Sequence, residues 1–157
     1  FLATTTFDLK YIGEDGADHP VYVIHRAPLG THERFTAFLI EHYAGAFPIW
    51  LAPVQAVVMN ITDHQQDYVA AVVAQLKAAG FRADPDLRNE KIGFKIREAE
   101  KAKVPFMLVA GNREMQDGTL SVRGRSGANL GSKTVAEVLD LLQAEVTHTQ
   151  RELQPTH

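Results

Sequence analysis

Apolar and polar positions follow two alternating patterns from residue 54 onward. Val54–Ile61 is a nearly continuous apolar run rich in β-branched residues, which predicts a strand buried on both faces. After the candidate caps Thr62 and Asp63, apolar residues recur at helical spacing until Gly80, which predicts an amphipathic helix with a glycine C-cap. A buried strand followed at once by a helix is typical of a central parallel sheet.

The same alternation continues further along the chain. Phe81–Asp86 and Pro105–Ala110 are predicted strands, and Lys91–Lys103 between them is a predicted charged helix with one apolar side. Asn112–Gly118 is a predicted polar turn before Thr119–Arg125, whose alternation indicates a half-buried strand. The last two strands are therefore expected to pair in antiparallel fashion.

The C-terminal stretch completes the pattern. Ser126–Gly131 is a predicted loop, and Thr134 with Glu137 forms a capping box for a final helix that runs to about Thr147. The alternation of strands and helices predicts an α/β fold: a three-layer domain with a mixed, mostly parallel sheet covered on both faces. We assign this domain to residues 51–150, followed by a tail at residues 151–157.

The first fifty residues follow a different pattern. Phe7–Tyr11 and Val21–His25 are β-type runs joined by a glycine-rich turn, which predicts a hairpin. A helix is expected from the candidate N-cap Thr31 to about Ala44, and the apolar segment Phe47–Pro53, with its two prolines, suits a packed connector. We therefore place a domain boundary at residue 50 and assign residues 1–50 to a separate hairpin and helix.

The composition is ordinary for a globular protein. The chain has 157 residues, of which 45% are hydrophobic and 22% are charged, enough for one full domain and an additional piece. It has no cysteine, which excludes disulfides and thiolate zinc clusters. Phe1–Thr6 lacks the features of a signal peptide, and no apolar run reaches transmembrane length, so we expect a cytoplasmic protein without a membrane partner.

The formal net charge of −3 conceals an uneven distribution along the chain. Between Arg88 and Arg125 there are nine lysines or arginines against five acidic residues. A locally basic segment favours contact with a polyanion such as nucleic acid, although exposed lysines on a solvated helix give a similar count.

Five ordered stretches of the sequence resemble one enzyme family. His25–Phe35 resembles motif 3 of class II aminoacyl-tRNA synthetases, a glycine turn followed by an arginine on a helix, in the form usual for threonyl enzymes. The similarity continues in four later stretches: Glu41–Pro48, Trp50–Gln55, Asp86–Arg97 and Val104–Met107. The resemblance covers about residues 7–147. The chain thus resembles the C-terminal portion of bacterial threonyl-tRNA synthetases: a hairpin-helix remnant of the antiparallel class II catalytic domain, then a class IIa anticodon-binding domain.

The resemblance implies roles for residues of the first domain. Arg34, in the first turn of the helix after Gly30, matches a catalytic arginine that holds the triphosphate of ATP, and a cation at a helix N-terminus suits phosphate. His25 matches one ligand of a zinc ion that binds threonine. The family's other zinc ligands lie upstream of the residues present here, and a half-buried strand histidine is the alternative. The full-length enzymes use Zn²⁺ and ATP with Mg²⁺; this chain alone is expected to bind none of them and to be inactive.

The resemblance also implies a set of anticodon contacts in the second domain. Glu114 can accept hydrogen bonds from a guanine edge, and Arg123 can donate to guanine O6 or uracil carbonyls. Because Arg123 lies on the strand paired with the one that precedes Glu114, the two are expected to be neighbours. A surface salt bridge between them is the alternative. Asn89 is either an anticodon contact or an ordinary helix cap. Arg97 and Lys101, four residues apart, either bind phosphates or form a solvated helix face.

These matches favour one function over a second. The main hypothesis is that the chain is the C-terminal part of a threonine–tRNA ligase, which joins L-threonine to tRNA(Thr) with ATP, and that this portion recognises the anticodon. The full-length enzyme is expected to be a homodimer. The alternative is a non-catalytic module of the same fold that binds another RNA or a protein, because a fold alone does not define a function.

Overall fold

The computed structural model describes residues 4, 6–24, 26–27 and 29–151. The chain divides into two compact units, one ending at Ala37 and the other beginning at Phe38. The domain boundary placed at residue 50 stays a prediction. In the described ranges, no helix is both long enough and apolar enough to cross a membrane.

The first unit contains the predicted hairpin. Strands β1 (Lys10–Ile12) and β2 (Asp18–Pro20) pair in antiparallel fashion, with Tyr11 opposite His19. The turn between them closes through a hydrogen bond of 2.9 Å from the Gly13 N–H to the carbonyl of Ala17. A hairpin is present, as predicted, but its strands lie closer to the turn than the apolar pattern indicated. β1 overlaps the end of the predicted strand Phe7–Tyr11, whereas residues 21–24 of the predicted strand Val21–His25 form no strand and His25 lies outside the described residues.

Helix α1 (His32–His42) begins after Thr31, as predicted. The Thr31 hydroxyl accepts a hydrogen bond of 3.3 Å from the Arg34 N–H, which satisfies one of the free donors of the first turn. The chain leaves the helix through Gly45, whose φ of 75° lies in the left-handed region that glycine adopts without strain.

The second unit is built on one five-stranded sheet. Its strands are β3 (Ala56–Asn60), β4 (Ala83–Asp86), β5 (Phe106–Ala110), β6 (Thr119–Gly124) and β7 (Asn129–Thr134). The order across the sheet is β4-β3-β5-β6-β7. β3 is parallel to β4 and β5, β6 is antiparallel to β5, and β7 is antiparallel to β6. Every strand except β6 therefore runs in the same direction, which confirms a mixed, mostly parallel sheet.

Helices cover both faces of this sheet. Helix α2 (Gln66–Ala78), which follows a 3₁₀ turn at Asp63–Gln65, and helix α5 (Val135–Arg151) pack on one face. Helix α3 (Ile92–Lys101) packs on the other face, where Ala99 meets the buried side chains of β3 and β5. The predicted three-layer arrangement is confirmed, since the apolar stripes of the helices and the two-sided apolar runs of the central strands bury one another.

Two segments differ from the sequence expectation. Asn112–Asp117, predicted as a turn, forms the short helix α4, which ends at Gly118 with a φ of 66°. Asn129–Thr134, of which the first part was predicted as a loop, forms the edge strand β7. A six-residue helix is too short to show an apolar period. β7 is mostly exposed and is held by its pairing with β6, so its own side chains carry little strand signal.

Candidate nucleic-acid interface

The carboxyl ends of β4, β3 and β5 meet at one edge of the sheet. From β3 the chain goes first to β4 on one side and then to β5 on the other, which makes this edge a topological switch point. Loops and helix starts that follow the parallel strands leave a crevice at such an edge, and ligands bind there in open α/β sheets. Asn89 lies just beyond β4, and Glu114 lies on α4 just beyond β5.

The loop that carries Asn89 is anchored by its neighbour Arg88. The Arg88 guanidinium donates to both carboxylate oxygens of Asp86, at 3.0 and 2.8 Å, and its third nitrogen donates to Glu98 of α3 at 2.7 Å. The side-chain hydrogen bonds from Arg88 to Asp86 are the main reason that the pKa of Asp86 lies below its usual value. The same guanidinium lies 6.0 Å from the centre of the Phe94 ring. Asn89 itself is exposed, and Lys91, not Asn89, is the N-cap residue of α3.

Glu114 is held by a backbone donor in the first turn of α4. Its Oε2 accepts a hydrogen bond of 3.1 Å from the Gly111 N–H, and within the described residues Oε1 accepts none. A Cβ atom at Gly111 would lie 2.7 Å from that Oε2, so the position requires glycine for as long as the carboxylate occupies this place. The pKa of the nearby Tyr68 is raised by burial and, second, by the charge of Glu114. One carboxylate oxygen is thus free for a donor outside the chain.

Arg123 is not the cross-strand neighbour of Glu114 that the sequence predicted. It lies on β6 opposite Met107, near the start of β5, whereas Glu114 follows the end of β5 at Ala110. At about 3.3 Å per strand residue, Arg123 stands roughly 10 Å back from that end. No ion pair joins Arg123 to Glu114 in the part of the chain that the structure describes. The salt-bridge alternative for the two side chains is wrong.

Arg123 belongs to an open polar face of the sheet. Along β6 the side chains of Leu120 and Val122 enter the core beneath α2 and α5, so the residues between them point to the opposite face. α3 covers that face over β3 and β5, and β6 and β7 lie beside it. We call this the hydroxyl face; it consists of Arg123 with Thr119, Ser121, Ser132 and Thr134. This face could not be predicted from the sequence, because part of it lies on β7, and the first half of β7 was predicted to be a loop.

The exposed cations of α3 lie along its outer surface. Arg97 and Lys101 are both exposed and four residues apart. Lys101 and Glu98 line a groove beside β4, whereas Glu100 approaches Gly127 in the turn between β6 and β7. Lys101 and Arg123 therefore lie on opposite sides of the helix, and Arg97 lies between them.

Several cations of the basic segment are not available to a ligand. Lys95 is 1% exposed, and burial lowers its pKa. Arg88 is paired with two carboxylates, and Arg125 donates to the carbonyl of Phe47. The exposed cations of this segment that form no ion pair among the described residues are Lys91, Arg97 and Lys101, at the start of α3 and along it, and Lys103 just after its end. The basic surface is smaller than the residue count indicated.

In the first unit, Gly30 and Arg34 lie at the start of helix α1, Gly30 just before it and Arg34 in its first turn. Gly30 has a φ of 67°, and Arg34 is exposed in the first turn of α1. His25, the predicted zinc ligand, lies outside the described residues. Among the residues that are described, no group of three or more His, Asp or Glu side chains is placed to hold a metal ion.

A three-layer α/β unit with polar side chains at a switch-point edge, beside the exposed cations Arg97 and Lys101, is compatible with binding unpaired RNA bases. The family model described as Anticodon binding domain matches residues 55–145, which lie within this unit. The chain therefore belongs to the anticodon binding domain family.

Curated relatives narrow the assignment further. The chain is 54% identical to a threonine–tRNA ligase of Clostridium acetobutylicum over 93% of its own length and 23% of that protein. It is 55% identical to the threonine–tRNA ligase of Magnetococcus marinus over 88% of its length and 22% of the relative. The solved RNA-binding domain of threonyl-tRNA synthetase from Cryptosporidium parvum is 30% identical, with a TM-score of 0.70 over 92% of this chain and 37% of that one. The resemblance to the C-terminal part of threonine–tRNA ligases is confirmed, and the chain spans less than a quarter of the length of these bacterial relatives.

Proposed function

We propose that this chain recognises the anticodon of tRNA(Thr) as the C-terminal part of a threonine–tRNA ligase. The observation that carries the proposal is that the family match at residues 55–145 covers the unit that places the exposed Asn89 and the half-buried Glu114 at one edge of its sheet. In that ligase, threonine is joined to tRNA(Thr) with ATP. The whole enzyme acts in the cytoplasm as a homodimer.

The polar side chains of Asn89, Glu114 and Arg123 fit the bases that threonine anticodons share. These anticodons have G and then U at their second and third positions. The free oxygen of Glu114 accepts from the N1–H and N2–H donors of a guanine edge, and the forked donors of Arg123 suit guanine O6 or the uracil carbonyls. Because Arg123 stands roughly 10 Å back from the end of β5, and Glu114 follows that end, we expect them to contact different nucleotides. Asn89, free of a capping role, donates to and accepts from a base at the same edge.

The exposed cations of α3 supply the contacts to RNA that do not depend on the base sequence of the RNA. Arg97 and Lys101 bind phosphates of the loop, and the exposed face of Phe94 offers a surface on which a base can stack. Phosphate contacts fix the position of the RNA, and base contacts select it. The hydroxyl face beside Arg123 adds hydrogen-bond partners for sugars and bases.

In the full-length ligase the first unit contributes to the ATP site. Gly30 turns the chain into α1, and Arg34 places a permanent positive charge at the start of that helix, where a triphosphate is favoured. Zn²⁺ and Mg²⁺ belong to parts of the ligase beyond the residues described here. This chain by itself is expected not to form threonyl-tRNA.

A titration with anticodon stem-loops tests the anticodon proposal. The chain is titrated with a loop that carries G and U at the second and third anticodon positions, and with loops in which each base is replaced singly. We expect each replacement to weaken binding by about 1–3 kcal/mol. Equal affinity for all loops at moderate salt contradicts anticodon reading and supports the alternative, a module that binds another RNA or a protein.

A further inference from the structure

A buried lysine joins three elements at the carboxyl edge of the sheet. Lys95 of α3 is 1% exposed, and its ammonium group donates to the backbone oxygen of Asn60 at 3.1 Å and to its Oδ1 at 2.8 Å. A third hydrogen bond of 3.0 Å goes to the carbonyl of Asp86. All three donors of the ammonium group are used, so Lys95 cannot bind a phosphate. It ties α3 to the ends of β3 and β4.

The hydrogen bonds continue from Asn60 toward α4. The Asn60 amide donates to the carbonyl of Thr62 at 2.9 Å, and the Thr62 N–H donates to Oε1 of Gln65 at 2.7 Å. Gln65 is fully buried, and its amide nitrogen donates to Oδ1 of Asn112, the first residue of α4. We call the three buried side chains of this series, Lys95, Asn60 and Gln65, the polar chain.

Each end of the polar chain reaches one of the candidate anticodon-reading elements. At one end, the Asp86 carbonyl is held by Lys95 while the Asp86 carboxylate holds Arg88, the residue before Asn89. At the other end, Asn112 is bonded to Gln65 and follows Gly111, whose N–H holds the Glu114 carboxylate. A continuous series of contacts thus runs from the Asn89 loop to the Glu114 helix, beneath the edge where they are exposed.

Polar side chains at these buried places need a reason beyond stability. Burying a charge or an amide costs free energy unless every donor and acceptor is satisfied, and apolar residues of similar volume often stabilise a fold as well or better. A fully satisfied polar network, by contrast, permits one geometry only, because any displacement leaves a buried group unpaired.

We infer that Lys95, Asn60 and Gln65 are positioning residues, which fix the Asn89 loop and the Glu114 helix at one separation and thereby set base selectivity without touching a base. The inference rests on the proposed anticodon recognition. Reading two bases at once requires their two protein partners to be held at a set spacing, and the polar chain is the set of contacts that connects those partners through the end of β3.

The first test compares selectivity in variants that remove each half of the polar chain. Lys95→Met and Gln65→Met keep the side-chain length and delete the hydrogen bonds. Leu142→Ala, on the buried side of α5, is the control for a general loss of stability. We expect the ratio of affinities for the G-U loop and the singly changed loops to fall about tenfold in both Met variants, the value of roughly one base contact. The control should keep the wild-type ratio at an equal loss in Tm.

Double variants show whether the loss of selectivity depends on Asn89 and Glu114. Lys95→Met should cause no further loss of selectivity when Asn89 is already replaced by Ala. Likewise, Gln65→Met should cause no further loss when Glu114 is already replaced by Ala. If the wild-type chain is selective and the Met variants weaken all loops equally, as Leu142→Ala does, the inference is wrong and the anticodon proposal stands. Additive losses in the double variants also overturn it.

Amide hydrogen exchange tests the positioning without RNA. The Gly111 N–H bonds to Glu114, and the Arg88 N–H bonds to Asp86 at 3.2 Å. We expect Gln65→Met to speed exchange at Gly111 and Lys95→Met to speed it at Arg88, with α2 and α5 amides unchanged. Wild-type protection of both amides in these variants overturns the inference whatever the RNA result. If the wild-type chain binds all loops equally, the anticodon proposal fails, and the role of the polar chain in selectivity fails with it.

Discussion

At the scale of single residues, Gly111 has no side chain, and the Glu114 carboxylate occupies the space where one would lie. The backbone at Gly111 has a φ of −106°, which any residue can adopt, so the glycine is not required for its conformation. It is required because Oε2 of Glu114 would lie 2.7 Å from a Cβ atom. The position of the Glu114 carboxylate thus depends on the lack of a side chain at Gly111.

Gly111→Ala should therefore displace Glu114 and reduce discrimination between guanine and adenine at the base that Glu114 reads. We expect a loss of about 1–3 kcal/mol in that discrimination, measured with paired stem-loops. Gly93→Ala is the matched control, since a Cβ at Gly93 in α3 meets nothing within 4 Å. That control should stabilise the protein by roughly 0.5–1 kcal/mol and leave selectivity unchanged. If Gly111→Ala discriminates between guanine and adenine as well as the wild type does, Glu114 does not read the guanine.

Arg123 and Lys101 differ in the kind of contact that their positions favour. Arg123→Ala should weaken binding to the G-U loop by about 1–3 kcal/mol and relax its selectivity. Lys101→Ala should weaken all loops alike, because a lysine on the outer surface of α3 meets phosphates. Affinities for the same set of loops measure both effects. Indistinguishable profiles would contradict the roles given to the two residues.

Asp86 makes the stability of the second unit depend on pH. Its folded pKa lies below the unfolded value because Arg88 donates to the carboxylate, so its contribution is present above the unfolded pKa and is lost as pH falls through the folded pKa. Asp86→Asn should lower the free energy of unfolding by about 1–2 kcal/mol at neutral pH. Urea unfolding from neutral to acidic pH should show this difference shrinking. A difference that is constant with pH would exclude the ionised carboxylate as its source.

At the scale of secondary-structure elements, the sequence predicted the strands and helices whose own apolar residues recur at a regular spacing. It did not predict the elements that are held in place by neighbouring parts of the structure. The buried strand at Ala56–Asn60 and the helix at Gln66–Ala78 follow from apolar patterns that their own residues supply. α4 and β7 do not: α4 is fixed by Gly111 and Gly118 at its ends, and β7 by its register on β6. Treating α4 as a turn is what made Glu114 and Arg123 look like neighbours.

The capping box of α5 is a predicted element boundary that the structure confirms. The Glu137 carboxylate accepts from the Thr134 N–H at 2.7 Å, and the Thr134 hydroxyl accepts from the Glu137 N–H at 3.3 Å. Thr134→Ala should destabilise the protein by about 1 kcal/mol, measured by thermal or urea unfolding. Thr147→Ala, whose hydroxyl bonds only to the carbonyl of Gln143 on the same helix, is the control and should have a smaller effect. Equal losses would show that the box does not stabilise the helix start.

At the scale of the whole molecule, the net charge of −3 and the proposed RNA contact are compatible because the available cations are few and lie together. The structure removes Lys95, Arg88 and Arg125 from the basic segment, since each is committed to partners within the chain. Sequence alone shows the local excess of positive charge. It cannot show which cations are already satisfied, because that depends on contacts between distant segments.

The few available cations predict a shallow salt dependence of RNA binding. Lys91, Arg97 and Lys101 are the exposed cations on and before α3, and each phosphate contact with a single strand contributes about −0.7 to the slope of log K against log salt. We expect a slope of about −2 for the G-U stem-loop, reduced in magnitude by about 0.7 in Arg97→Ala. Lys77→Ala, on α2 across the sheet, should leave the slope unchanged. Slopes are obtained from affinities measured at several salt concentrations. Lys95→Met should have the wild-type slope, because the ammonium group of Lys95 is buried and contacts no phosphate. A slope several times steeper would mean that the RNA contacts a basic surface other than α3.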